Sequence, residues 1–241
     1  MELIRSLPTL PRRLLWKARI HRWNIGYPDA EMRFLPRLCN SRKTSLDIGA
    51  AQGIYVIHLL AYSHDVIAFE PRIDAVAELE QMFTGAPVKV YPIALSDTTE
   101  ERTMVVCPSD WGRSTLEKRN HVAGVPETVS VRPLDDFELS DVGFIKIDVE
   151  GHEEAVLSGS IETLQRNRPN ILIEIEEAHN EGSLEAVPRL LSRLQYSGWF
   201  FFQNTWQPLT KFNARLHQIV GGMPYINNFV FVPDEMEFPL A

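Results

Sequence analysis

Cysteine is close to absent: Cys39 and Cys107 are the only two in 241 residues, and neither has neighbours at metal-ligand spacing. This excludes a disulfide framework and a zinc-finger-like centre, and predicts a reducing compartment with the cytoplasm as default. No apolar run approaches the ~18 residues of a membrane span. The arginine-bearing start has no uninterrupted apolar core for a secretory signal. Positive charge is in deficit too. With 24 Lys and Arg against 32 Asp and Glu the net charge is −8, which excludes bulk nucleic-acid binding, because neutralising phosphates takes a basic face. What is present, 44% hydrophobic and 23% charged residues, is ordinary for a globular protein. The length fits one large α/β domain.

Residues 1–23 stand apart in composition. Arg5, Arg12, Arg13, Lys17, Arg19 and Arg22 interleave with leucines, isoleucines, Trp16 and Trp23, and Pro11 suits a first helical turn. One reading is a basic amphipathic helix lying on an anionic membrane surface. The other, favoured because surface helices commonly show such a face, is a leader packed on its own domain or on a second subunit of a homo-oligomer. The chain divides accordingly into a leader, 1–40, and a globular domain, 41–241.

The domain is organised around TSLDIGAAQG at 44–53: a short buried strand, a glycine turn, and the opening of an apolar helix. Glycines let backbone approach a ligand, and free N–H groups at a helix start attract polar ligand atoms. Short apolar runs then alternate with helical patterns. Val66-Ile67-Ala68-Phe69 is a strand, Pro71 can open a helix with Val76, Leu79 and Phe83 on one face, and Val88-Lys89-Val90-Tyr91 is a third strand, left through a loop at 92–97. This order predicts a mostly parallel sheet with right-handed crossovers. Residues 98–140 break the rhythm with an inserted hairpin, 102–107 and 128–132, around a polar loop carrying Trp111, Gly112, Arg113, Ser114 and Thr115. The rhythm returns with the strand Phe144-Ile145-Lys146-Ile147-Asp148 and a helix with Leu157, Ile161 and Leu164 on one face. A strand at 170–176, a further helix, and a final antiparallel pair at 199–202 and 228–232 complete it.

Glu70 ends the second strand, at the carboxyl edge where open α/β sheets bind ligands, and can accept hydrogen bonds from ribose hydroxyls. The turn Gly49-Ala50-Ala51-Gln52-Gly53 lacks the third glycine that a pyrophosphate needs. That favours S-adenosylmethionine over NAD. The alternatives are an NAD-dependent oxidoreductase and a non-catalytic cofactor-binding module.

LDIGAAQG, VIAFEP, PIALSD, PLDDF, FIKIDVEGHEEAVLSG and RPNILIEIEE, in that order, resemble the FkbM-type methyltransferase family over about residues 44–180. The resemblance implies a class I, Rossmann-like fold and S-adenosylmethionine-dependent O-methylation of a sugar, glycan or other small-molecule hydroxyl. By position it implies that Asp47, Gly49 and Gly53 line the methionine side of the cofactor and Glu70 the ribose. Ala94, Ser96 and Asp97 fall near the adenine, the Ser114 loop closes over it, and Asp148 faces the sulfonium and the acceptor. The family has Asn where Ala51 stands.

A hydroxyl acceptor is helped by a base, and the candidates are Asp148, Glu150, His152, Glu174, Glu176 and His179. Two functional readings stay open: Asp148, Glu174 and Glu176 hold Mg²⁺, or Asp148, Glu150 or His179 acts without metal. Structurally, Glu150 and Glu153 would simply charge a helix start, His152 would lie on the surface, and His58, His64, His121 and His217 would be structural. Trp199, Phe200, Phe201, Phe202 and Trp206 read as a core strand rather than a sugar platform. Tyr225, Asn227 and Asn228 could line an acceptor pocket.

Overall fold

A computed structural model describes residues 29–107, 114–117 and 124–240. The basic segment 1–23, Trp111, Gly112, Arg113 and His121 lie outside the described residues.

Eight strands form the main sheet. Strands β1 (Thr44–Ile48), β2 (Val66–Phe69) and β3 (Val88–Tyr91) are parallel, as are β7 (Val142–Ile147) and β8 (Asn170–Glu174) beyond β1. Then come β11 (Asn228–Pro233), antiparallel to both β8 and β9 (Tyr196–Phe202), and β10 (Thr205–Pro208) at the edge, giving the order β10-β9-β11-β8-β7-β1-β2-β3. The mostly parallel sheet and the antiparallel closing strand agree with the sequence. The edge hairpin was not foreseen. Gln203 and Asn204 both take positive φ (50° and 61°), the backbone of a two-residue hairpin turn, although no glycine signals it.

Alternation along the buried strands feeds two apolar layers. Ile145, Ile147, Ile171, Ile173, Phe229 and Phe231 face helices α4 (Glu153–Ser158), α5 (Ile161–Asn167) and α6 (Ser183–Arg193). Phe144, Leu172, Val230 and Ala68 face α1 (Leu35–Leu38), α2 (Ile54–Leu59) and α3 (Ile73–Met82), where Met32 and Leu35 are also buried. The single helix expected through Leu157, Ile161 and Leu164 is two, because the chain must pass Ser96 at Gly159. A Cβ there would fall 1.9 Å from the Ser96 carbonyl oxygen. Pro71 likewise stands before, not in, its helix, which Arg72 caps.

The insertion is a separate three-stranded sheet. Strands β5 (Glu100–Val106) and β6 (Val125–Arg132) are the antiparallel hairpin, and β4 (Ala94–Leu95), expected to be loop, pairs with β6. Met104, Val106, Val129 and Val131 give it its own small core. No helix among the described residues is long and apolar enough to cross a membrane.

Phe229 is fully buried on the strand that joins β8 to β9. Phe229→Ala should lower unfolding free energy by about 3–5 kcal/mol, read from urea denaturation; a loss under 1 kcal/mol would mean that this strand does not share the main core.

Candidate active site

The carboxyl ends of β1, β2, β7 and β8 open on one cavity of about 300 Å³, to which the inserted sheet adds Ala94, Leu95 and Met104. Its floor is set by a close crossing. Gly49 holds φ +83°, and a Cβ on it would lie 1.8 Å from the carbonyl oxygen of Asp148, while the Asp148 N–H donates to the Ile48 carbonyl at 2.9 Å. The turn is therefore pressed directly against the end of β7, and only glycine allows it. Across the cavity the Glu70 carboxylate is fixed by backbone: Ala51 N–H donates to Oε2 at 2.8 Å and Arg72 N–H to Oε1 at 3.0 Å. Burial raises the pKa of Glu70, opposed by those two N–H groups and the Arg72 cation.

Of the residues expected around a cofactor, Gly49, Glu70, Ala94, Ser114 and Asp148 line this cavity. Asp47, Gly53, Ser96 and Asp97 stand outside its lining. Asp47 is buried beneath the floor with Oδ2 unpartnered, and burial pushes its pKa up to about 8 against the pull of Lys146. At Gly53 (φ +75°) a Cβ would meet the side chains of Leu79 and Phe83, so the turn packs closely on the helix α3 and its exit there. Ser96 is fully buried with its hydroxyl 3.0 Å from His152 Nε2, and Asp97 is exposed.

His152, expected at the surface, is buried in the cavity wall. Its Nδ1 lies 2.8 Å from Glu117 Oε1. With this contact the strip 114–117 is pinned as a roof. Arg72 donates to Ser114 Oγ at 3.3 Å, and the Thr115 hydroxyl donates to the Glu150 carbonyl at 2.8 Å. Glu117 and His152 are far apart in sequence with no shared motif, so only the fold reveals the pair.

The opposite wall is acidic. Asp148, Glu150 and Glu174 line the cavity, with Glu176 and His179 behind. Glu150 sits at φ +51°. His179 links the two layers, Nδ1 3.0 Å from Glu150 Oε2 and Nε2 3.3 Å from Glu176 Oε2. The Glu150 partner raises the His179 pKa above burial's opposing effect, and burial raises that of Glu150. Asn227 Nδ2 donates to both Glu174 Oε1 (2.7 Å) and Glu176 Oε1 (2.8 Å), and the Tyr225 hydroxyl donates to Glu176 Oε2 at 2.7 Å. Burial beside Asp148 holds Glu174 well above the usual carboxylate range. Glu176 is drawn below it, as the donors from Tyr225 and Asn227 outweigh burial.

These contacts give the Mg²⁺ expectation no support. Among the described residues no three His, Cys, Asp or Glu side chains converge as a metal group. Glu174 and Glu176 spend oxygens on Asn227 and Tyr225, and Asp148 Oδ2 instead faces the ammonium of Lys146 at 3.6 Å. Lys146 was not singled out in the sequence, although a lysine between two isoleucines of a buried strand is its signal.

A family model described as the methyltransferase FkbM domain matches residues 47–200. No curated protein matches the chain. Among solved structures, methyltransferase FkbM from Methylobacillus flagellatus KT aligns with a TM-score of 0.54 at 16% identity, covering 93% of this chain and 63% of that one. This chain thus spans less than two thirds of that protein's length. A putative methyltransferase from Streptococcus mutans in complex with SAH aligns at 11% identity and a TM-score of 0.45, covering 84% of this chain and 95% of that one. At such identities the first likeness speaks to fold alone, and the second carries no further argument.

Glu153 supplies a test of the site's electrostatics. It is buried at the start of α4, accepts from Gly151 N–H at 2.8 Å, and leaves Oε2 unpartnered. Burial pushes its pKa up from 4.5 to about 7. The folded state therefore keeps a proton that the unfolded chain releases across that window, and stability falls as pH rises through it. Glu153→Gln should be the more stable protein at pH 8, by roughly 1–3 kcal/mol, with the gap closing towards pH 5. Parallel urea midpoints for the two proteins over that range would remove the buried-carboxyl account.

Proposed function

The chain belongs to the FkbM methyltransferase family, and from that premise we propose that it is an S-adenosylmethionine-dependent O-methyltransferase acting on a hydroxyl of a sugar, glycan or glycosylated metabolite. The observation that carries this reading is one cavity with a backbone-anchored carboxylate, Glu70, on one wall and Asp148, Glu150 and Glu174 on the other.

The residues present fit a nucleoside-bearing methyl donor. The turn at Gly49 leaves no side chain between backbone and ligand, and Glu70 still has lone pairs for two ribose hydroxyls after accepting its two N–H bonds. Phe69, Pro71, Leu95, Met104 and Leu116 give the cavity apolar lining suited to the adenine. The strip at Ser114 covers it. The bound donor supplies a methyl group on a positively charged sulfur.

Methylating a hydroxyl would release its proton, so a protein base within reach of the acceptor oxygen would help the transfer. Holding oxygen, carbon and sulfur in line supplies most of the acceleration. On this reading Asp148, on the acidic wall beside the Gly49 turn, stabilises the sulfonium. The Glu150–His179 pair is placed to take the proton, and a base of this kind contributes about 10²–10⁴-fold. Burial raises the pKa of Glu174, which leaves the Glu150–His179 pair the better base.

Thermal-shift titrations with S-adenosylmethionine, S-adenosylhomocysteine and NAD test the cofactor: stabilisation by the first two is expected, and stabilisation by NAD alone would overturn the reading. Glu70→Ala should weaken S-adenosylhomocysteine binding by roughly 10- to 100-fold, the loss of one charge-assisted hydrogen bond or more. Transfer of labelled methyl to a panel of glycosides, with Glu150→Gln slowing turnover while leaving cofactor affinity in place, tests the acceptor and the base together.

A further inference from the structure

Lys146 stands in an otherwise apolar parallel strand, on the same face as Phe144, and is completely buried. A buried ammonium is retained only with partners. Its Nζ lies 3.6 Å from Asp148 Oδ2, 3.3 Å from Asn228 Oδ1 and 3.4 Å from the Ile147 carbonyl oxygen. These contacts lead in two directions. Asp148 belongs to the cavity wall. Asn228 donates to Asn227 Oδ1 at 3.3 Å, and the Asn227 amide holds Glu174 and Glu176. One ammonium therefore ties the cofactor side of the site to the acceptor side.

We propose that Lys146 is a positioning residue for methyl transfer: a fixed internal cation that aims Asp148 at the sulfonium of the bound donor and keeps the carboxylate wall in register. In a site built from open carboxylates a divalent ion would do this work; here a side chain does it. The inference rests on the cofactor reading above. Its sign is distinctive. Acting only through space, the ammonium would repel the sulfonium, and removing it would strengthen donor binding. Acting through Asp148, it strengthens donor binding, and removing it leaves the partly exposed Asp148 carboxylate without its ion-pair partner and free to turn away from the sulfonium.

S-adenosylmethionine carries the sulfonium and S-adenosylhomocysteine does not, so the ratio of their affinities reads this interaction. Calorimetric titration of both ligands at one pH into the wild type, Lys146→Met, Asp148→Asn and the double variant decides it. Asp148→Asn should lower the ratio roughly tenfold, the scale of one charge-assisted contact, and Lys146→Met should lower it by a similar factor. The double variant should fall no further, because the two residues act as one unit. A ratio unchanged or raised in Lys146→Met rejects the proposal, as does equal weakening of both ligands, which is what damage to the cavity alone would produce. Should Lys146→Met fail to fold, Asn228→Ala keeps the ammonium and its place over the Tyr55 ring but removes its side-chain hydrogen-bond acceptor. A smaller fall in the ratio is then expected, and an unchanged ratio rejects the role. Wild type that binds neither ligand would instead defeat the cofactor reading, and this inference with it.

Discussion

The site depends on the contact between the turn after β1 and the end of β7. With Gly49 pressed on the Asp148 carbonyl and the Asp148 N–H bonded to Ile48, two loops that are remote in sequence share one floor. Everything above inherits that geometry. Glu70 is held by the N–H of Ala51, two residues beyond Gly49, and the acidic wall begins at Asp148 itself. A side chain at residue 49 would separate the halves before any ligand entered, so the constraint is steric first and chemical second.

Burial then decides how the charges on this floor behave. Asp47, Glu70, Glu153 and Glu174 are all displaced towards the protonated form by loss of water, opposed by backbone N–H groups at Glu70 and Glu153 and chiefly by the Lys146 cation at Asp47 and Glu174. Glu176 escapes because Tyr225 and Asn227 donate to it. Carboxylates close together in sequence thus leave with different protonation preferences, and a site with many acids need not be a site with many negative charges.

Legibility in the sequence followed the range of the interactions. The parallel strands, the hairpin insertion and the closing strand are local patterns of apolar period and glycine placement, and those could be read. Glu70 and Asp148 were visible because each ends a strand. The second hairpin was hidden because its turn uses Gln203 and Asn204 without glycine, and β4 because two residues carry no period. His152 was expected at the surface and Lys146 was passed over for a common reason: each is a polar residue whose burial depends on partners from distant segments, Glu117 and Ser96 for one, Asn228 for the other. The Mg²⁺ expectation found no support for a related reason: spacing shows which carboxylates share an edge but not that Asn227 and Tyr225 donate to them.

Those two residues come from the chain's last stretch, past the point where the family's pattern ends at residue 200. The acids belong to the shared part, while the groups that aim them belong to the part outside it. Substitutions at 225–228 can therefore re-aim Glu174 and Glu176 without altering either acid. If the proposed acceptor side is right, such a division would let a lineage try new acceptors by exchanging a late strand and its approach loop, with the donor side left as it was.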